Sequence, residues 1–320
     1  MTRVSAGARI HVGFQNLSLS HERLYGGVGF ALDRPRVSIE ATRADSVRCT
    51  DTLVAEYATA ICDLLDVPGV DLTVTERLPR HVGLGSGTQI ALATLTAVAE
   101  AYDREPRVRE RAPALGRGGR SGVGVATFER GGFVVDAGHP TTRFTTDTPE
   151  DGSWTVPPVV VRRDLPESWR VLLVYPDADA GRSGETEDAS MRAAVERADP
   201  DLADELAGIL TRRLLPAVAA GECEPFGRAV TAFDRRNGTW YTDAQGGVYR
   251  PPAGALVDEL EASAALSGVG QSSWGPAVYG ITDASRERAA REAGEAALDA
   301  VGVAGSVETV GVANAGARVE

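Results

Sequence analysis

The chain has no lysine. All 33 of its basic residues are arginine, set against 45 carboxylates for a formal net charge of −12 over 320 residues. This absence excludes a Schiff-base lysine, the lysine of a nucleotide-binding P-loop and the catalytic lysine of protein kinases. Cysteine is scarce as well. Cys49, Cys62 and Cys223 are an odd number at unrelated spacings, which signals neither a disulfide framework nor a zinc site and leaves buried small hydrophobes. No apolar run approaches the roughly 20 residues of a membrane span, and the opening "MTRVSAGARI" lacks the apolar region of a signal peptide. A cytoplasmic protein with no membrane partner is expected. Aromatics are only 6% and do not interleave with a basic stripe, and so acidic a surface repels phosphate backbones, so no nucleic-acid partner is expected. The same balance suits hydration in concentrated salt, a halophilic expectation, although GC-rich coding also replaces lysine by arginine.

The length suggests two domains, placed at 1–160 and 161–320. Arg3 to Phe14 reads as a strand, and 27–41 supplies two short runs around Pro35. Apolar residues at Val54, Tyr57, Ala58, Ile61, Leu64 and Leu65 have a helical period that ends at Pro68 and Gly69. Residues 70–79 alternate as a half-buried strand, a glycine loop follows, and Ile90, Leu92, Leu95, Val98 and Tyr102 continue as a helix. A second glycine cluster, 116–138, leads into two strand-like segments ending at Asp136. The polar stretch from Thr141 to Pro158 reads as an interdomain excursion. Residues 168–176 resemble the first strand of a second domain, followed by helical patterns through 187–235 and 253–267. A third glycine loop lies within 268–282 before a strand; 284–301 is an amphipathic helix, and a final strand ends the chain. No internal repeat is evident. Strands and helices alternate without a long parallel series, so the fold class is α+β in two halves.

The loop "HVGLGSGTQI" (81–90) opens a helix, where unpaired backbone N–H groups and the helix dipole attract an anion. Glycines at 83, 85 and 87 permit close approach, and Ser86 and Thr88 carry hydroxyls. The plain structural reading is a strand-to-helix turn with Ser86 or Thr88 as N-cap. The loop lacks the lysine of a Walker motif and the spacing of a dinucleotide fingerprint. Arg9 and His11 alternate with Ile10, so their side chains share one face of the first strand. Arg117, Gly118, Gly119, Ser121 and Gly122 form a second candidate anion nest. Gly270, Gln271, Ser272, Ser273 and Trp274 form the third loop. Gln245, Gly246, Gly247 and Tyr249 read as a tight turn; His81 and His139 are open cases, and His21 is read as solvated.

Proline, three residues, then Gly-Leu-Gly-Ser in "LPRHVGLGSGTQIALATL" resembles the phosphate loop of the GHMP kinase superfamily. "GVGQSSWGPAVYGI" is similar to its C-terminal glycine motif and "SAGARIHVGF" to its N-terminal strand motif, all in the expected order. The resemblance implies a GHMP kinase-like two-domain fold, with an N-terminal domain like domain 2 of ribosomal protein S5, a ferredoxin-like C-terminal domain and the ligand between them. It also implies an ATP-dependent small-molecule kinase as one activity. The chain departs from the kinases in reading Gly87-Thr88-Gln89 after Ser86. It also carries no aspartate in "GGRSGVGVATF", where many of them place the base for the substrate hydroxyl.

"GLGSGTQ", "RGGRSGVGVATFERGGFVVDAGH", "YGGVGFAL" and "QGGVYRPP" resemble one branch of the superfamily, the β-ribofuranosylaminobenzene 5′-phosphate synthases of methanopterin-type pterin biosynthesis in archaea and some bacteria. That resemblance implies a pentosyltransferase. It would join phosphoribosyl diphosphate to 4-aminobenzoate or 4-hydroxybenzoate, giving a carbon-linked riboside phosphate, carbon dioxide and pyrophosphate. Gly83, Leu84, Gly85, Ser86, Gly87 and Thr88 would then seat pyrophosphate, with Mg²⁺ held mainly through substrate phosphates and no protein metal cage. Arg9, His11 and Ser86 are the candidate catalytic residues. Arg117, Gly118, Gly119, Ser121, Gly122 and the 270–274 loop would bind substrate, with Trp274 stacking on the aromatic ring. Arg120 stands where this branch is expected to carry a small hydroxyl residue. A homodimer is common in the branch.

Overall fold

Strand β1 (Thr2–Asn16) sends Val4, Ala6, Ala8, Ile10 and Val12 into a core, which puts Arg9 and His11 together on its opposite face. This geometry comes from a computed structural model that describes residues 1–146, 149–179, 181 and 185–320, and of positions 185 and 186 only the backbone. Strand β2 (Arg23–Arg43) pairs antiparallel with β1 over nearly its whole length. The two short runs expected around Pro35 are one strand: the register breaks between Gly7↔Arg36 and Arg9↔Ala31, so proline falls where no ladder donor is needed.

Helix α1 (Thr52–Leu65) follows, capped by the Asp51 carboxylate, and then β3 (Val70–Glu76) joins β2. Helix α2 (Ser86–Ala101) is buried continuously from Gln89 to Ala99, the mark of a helix apolar on every side, and lies on β1 and β2 with α1 beside it. After α3 (Val108–Arg111) comes α4 (Val123–Arg130), then β4 (Phe133–Asp136), β5 (His139–Pro140) and β6 (Val159–Arg163). The first of the two strand-like segments expected before Asp136 is therefore helix α4. A short apolar run carries no decisive period, and Gly124 lets α4 approach α2 so closely that a methyl group there would lie 3.1 Å from Thr88 Cγ2. The polar stretch 141–158 has two positions, 147 and 148, outside the described residues.

Strand β7 (Trp169–Pro176) begins a second antiparallel sheet. It is followed by α5 (Glu185–Glu196), α6 (Pro200–Ile209), α7 (Leu215–Ala220), α8 (Cys223–Gly238), α9 (Thr242–Gln245) and α10 (Ala253–Glu261). Strands β8 (Gly268–Gln271) and β9 (Val278–Asp283), helix α11 (Glu287–Val301) and strand β10 (Gly305–Gly311) complete it in the order β10-β7-β9-β8, the arrangement of a ferredoxin-like βαββαβ unit. The last expected strand divides in two, because β11 (Arg318–Val319) returns to pair with β1.

Alternation along β7 explains the layers. Trp169, Val171 and Leu173 face α8, whose Phe226 meets Trp169, Phe30 and Phe133 and so bridges the two sheets. Leu172 and Val174 face α10 and α11 on the other side. Among the described residues no helix is long and apolar enough to cross a membrane, and the three cysteines are free thiols.

Candidate active site

The 77–85 loop is sewn into place before it can hold anything. Arg9 N–H donates to the Leu84 carbonyl (3.2 Å), Arg9 Nη1 and Ser272 Oγ both donate to the Gly83 carbonyl (2.5 and 2.8 Å), and Leu84 is buried beneath. Gly83 has φ 92° and its Cβ would sit 2.1 Å from the Ser272 carbonyl oxygen, so only glycine fits. Helix α2 starts directly after Gly85, whose φ is 77°, with no side-chain cap. The expected Ser86 or Thr88 cap does not form: Ser86 is already inside the first turn, which leaves that turn's N–H groups without side-chain acceptors.

A cleft of about 620 Å³ opens beside this turn, with Arg9, His11, Thr88, Arg117, Gly118, Gly119, Arg120 and Ser121 in its wall. Three half-buried guanidiniums meet there. Arg9 is pushed down by burial to about 10, and so stays charged at neutral pH. Arg117 lies against Gly87, stacks over the Tyr57 ring with its carbon 5.4 Å from the centroid, and hydrogen-bonds the Tyr57 hydroxyl. Arg120 pairs with Glu187 (3.0 Å) and Asp188 at the start of α5. The Nε groups of Arg117 and Arg120 are buried with no hydrogen-bond partner among the described residues. Half-buried guanidiniums beside an uncapped helix N-terminus can form a seat for a multiply charged anion.

His11 stands at the cleft floor, with Nε2 3.1 Å from Ser121 Oγ. Ser121 Oγ in turn donates to Asp136 Oδ2 (3.2 Å), and the Asp136 carboxylate also takes the N–H groups of Gly122 (2.7 Å) and Gly138 (2.9 Å). Burial pushes Asp136 up to about 6 against those hydrogen bonds, and burial together with the Arg9 charge pushes His11 down to about 3. Gly27 makes room for the chain, since a methyl group there would meet Ser121 Oγ at 2.2 Å.

His11, Phe14, Ser273 and Trp274 also line a second, narrow cavity of about 40 Å³ with Asp234, Tyr241, Tyr249 and Gln271. Trp274 packs edge-on against Tyr241 at 4.9 Å. Asp234 accepts from Tyr279 Oη (2.8 Å) and Gln271 N (3.3 Å), and burial pushes it up to about 7.

The structure therefore gathers Arg9, His11, Thr88, Arg117, Gly118, Gly119, Ser121, Ser273 and Trp274 at one cleft. Other predicted residues serve as struts. Ser272 is fully buried, Gln271 accepts from Arg250 N and donates to the Ser273 carbonyl, Gly270 packs on Asp234, and Gly122 anchors Asp136. The lining takes Thr88 from the first turn of α2, while Ser86 stands half-buried beside it. His139 stacks on Phe144 at 3.7 Å and contacts the Gly118 carbonyl, a prop for the second nest. Gln245 is buried and donates to the Val248 carbonyl. Sequence reasoning missed Asp136, Asp234 and Glu187. For Asp136 the available signal was a carboxylate ending an otherwise apolar strand.

Among the described residues no group of three His, Cys, Asp or Glu side chains gathers as a metal cage. The carboxylates of Glu150, Asp151 and Glu187 do line the cleft, which fits a Mg²⁺ held chiefly by ligand phosphates.

Comparison with known proteins identifies the family and the fold. The GHMP kinases N terminal domain matches residues 51–132. The β-ribofuranosylphenol 5′-phosphate synthase of Methanothermobacter thermautotrophicus is 35% identical over 295 residues, 88% of each chain. The enzyme of that name from Archaeoglobus fulgidus is 33% identical over 290 residues, 89% of each. Among solved structures, homoserine kinase from Cytophaga hutchinsonii superposes with a TM-score of 0.70 at 17% identity, covering 100% of this chain and 97% of its own, which establishes the GHMP kinase fold.

Proposed function

The chain belongs to the β-ribofuranosylphenol 5′-phosphate synthase family, within the GHMP kinase fold, and we propose that it transfers phosphoribose from phosphoribosyl diphosphate to a para-substituted benzoate. The products are a carbon-linked riboside 5′-phosphate, carbon dioxide and pyrophosphate. The relatives' name favours 4-hydroxybenzoate as acceptor, with 4-aminobenzoate the alternative. The observation that carries the reading is the shared wall of the two cavities: His11, Phe14, Ser273 and Trp274 line both the arginine-walled anion cleft and the aromatic cavity of Tyr241 and Tyr249. A donor rich in phosphate and an aromatic acceptor would meet at that wall.

Three tasks follow. The α2 N-terminus with Arg9 and Arg117 takes the charge that grows on the leaving pyrophosphate, where preorganised donors act most strongly. Glu150, Asp151 and Glu187 are the cleft carboxylates that would face a phosphate-held Mg²⁺, which would supply further neutralisation when bound. Phe14 and Trp274, which also line the 620 Å³ cleft, hold the ring there so that the carbon bearing the carboxylate faces the sugar carbon, which converts a bimolecular attack into an oriented one. Carbon–carbon bond formation then breaks the bond to pyrophosphate, and loss of carbon dioxide restores the aromatic ring. None of these steps calls for lysine.

The test is direct. Purified protein with phosphoribosyl diphosphate, Mg²⁺ and carboxyl-labelled 4-hydroxybenzoate or 4-aminobenzoate is expected to release labelled carbon dioxide and pyrophosphate in equal amounts. ATP consumption on an alcohol with no labelled carbon dioxide would replace this reading by a small-molecule kinase.

A further inference from the structure

We propose that Asp136, acting through the Ser121 hydroxyl, fixes His11 as its Nε2–H tautomer, so that Nδ1 is the bare nitrogen that takes and returns the proton of the acceptor's para-substituent. The inference rests on the synthase reading for the identity of that proton, and on hydrogen counting for the tautomer.

Ser121 Oγ has three close polar partners and a single hydrogen. Val123 N–H is a fixed donor to it at 3.2 Å. Asp136 Oδ2 at 3.2 Å is an acceptor whose carboxylate already faces the N–H groups of Gly122 and Gly138. The hydroxyl hydrogen therefore goes to Asp136. Both oxygen lone pairs then accept, one from Val123 and the other from His11 Nε2 at 3.1 Å. A neutral imidazole with its hydrogen on Nε2 has a lone pair on Nδ1. No described residue hydrogen-bonds that nitrogen, and the ring lines both the anion cleft and the aromatic slot.

The chemistry gives such a nitrogen work. For the ring carbon bearing the carboxylate to attack, electron density must move in from the para oxygen or nitrogen as its proton leaves to Nδ1. The carbon–carbon bond forms while the sugar's bond to pyrophosphate breaks. When the carbon–carboxylate bond breaks as carbon dioxide, those electrons return through the ring to the para atom, which recovers the proton from Nδ1. His11 ends unchanged. Burial first, and the Arg9 charge second, hold His11 neutral before substrate arrives. Pyrophosphate on Arg9 offsets that charge and raises the basicity of Nδ1, so the base is strengthened only once the donor is bound. His11 is thus the catalytic residue, and Asp136 and Ser121 are positioning residues.

Long-range proton–nitrogen correlation spectra of protein labelled with ¹⁵N-histidine report the tautomer of each of the four histidines, with His11 assigned by its loss in His11→Gln. At pH 8 the wild type is expected to show His11 as Nε2–H. Ser121→Ala and Asp136→Asn are each expected to shift it to a mixture or to Nδ1–H, and to lower kcat by roughly 10–100-fold with the donor KM within about twofold. Ser121→Ala removes only one hydroxyl, so it serves where Asp136→Asn fails to fold. A wild-type Nδ1–H tautomer, or a tautomer unchanged in Ser121→Ala, overturns the assignment. Absence of labelled carbon dioxide from the wild type overturns the synthase reading alone, because the spectra need no turnover.

Discussion

Gly85 and the Arg9 guanidinium touch so closely that a methyl group on Gly85 would lie 2.9 Å from Arg9 Nε. A cation held against the positive end of α2 is unfavourable by about 0.3–1 kcal/mol when nothing lies between them. The arrangement makes sense once an anion is shared by the two.

Gly85→Ala tests that sharing. A left-handed alanine costs about 1–2 kcal/mol, and the added methyl group must displace Arg9. The expected result is a folded protein with a lower melting temperature and a KM for phosphoribosyl diphosphate raised tenfold or more, measured by carbon dioxide release. Gly85→Asp adds a negative charge at the anion seat and is expected to abolish turnover with the fold intact. A normal donor KM in Gly85→Ala would remove Arg9 from the donor site.

The Arg120–Glu187 pair leads to an opposite expectation. Burial lowers the proton affinity of Arg117 and Arg120, and the negative charge of Glu187 set against the guanidinium cluster opposes that in both; the net shift is downward for Arg117 and upward for Arg120. Glu187→Gln leaves the shape and removes the charge, so inorganic pyrophosphate without metal is expected to bind several-fold more tightly by calorimetry. Arg117→Met is expected to weaken it by about 10–100-fold. Equal affinity in both variants would show that the anion sits elsewhere.

Much of this site was legible locally. The strand, loop and helix at 70–101 follow from alternation, glycine content and period, and the parity of β1 put Arg9 and His11 on one face. What was not legible is long-range or ambiguous in period. Ser272 reaches Gly83 from 189 residues away, and nothing in either loop announces that a serine there is a strut and not a ligand. Asp136 is the counterpart: its role appears only when β4 lies beside β2 and brings the carboxylate to Ser121. Helix α4 looked like strand because an eight-residue run that opens Val-Gly-Val-Ala is too short to distinguish the two periods.

Ser272 gives a stability prediction. Its hydroxyl donates to the Gly83 carbonyl and accepts from His11 N–H (3.2 Å) in a fully buried position. Ser272→Ala leaves the buried His11 N–H unsatisfied and the Gly83 carbonyl with Arg9 as its one remaining side-chain donor, at a cost of about 1–3 kcal/mol. Urea unfolding is expected to show a lower midpoint at unchanged slope, and the donor KM should rise as the loop loosens. An unchanged midpoint would mean that water replaces the hydroxyl.

Asp234 predicts how stability depends on pH. Its folded value of about 7 stands above the ordinary 3.8 because burial disfavours the carboxylate. Below pH 3.8 both folded and unfolded chains are protonated there, and the group's contribution is fully present. As pH rises from about 4 to 7 the unfolded chain ionises first, and this stability is lost progressively, by about 1.4 kcal/mol per pH unit at most. Above pH 7 the loss is complete and constant. Asp136, pushed up to about 6, has the same sign, whereas His11, pushed down to about 3, and His139, pushed down to about 4, have the opposite sign and lose stability as pH falls below 6.5, so the wild-type curve mixes them all. Asp234→Asn isolates the first effect. The amide oxygen takes Gln271 N–H and the amide nitrogen donates to the Tyr279 oxygen, whose own hydrogen loses its acceptor; that cost is the same at every pH, so the pH dependence alone is read. Melting temperatures between pH 4 and 8 are expected to show the variant gaining on the wild type from pH 4 to 7 and running parallel above. Parallel curves across the whole range would mean that Asp234 ionises in the folded protein as readily as in the unfolded chain.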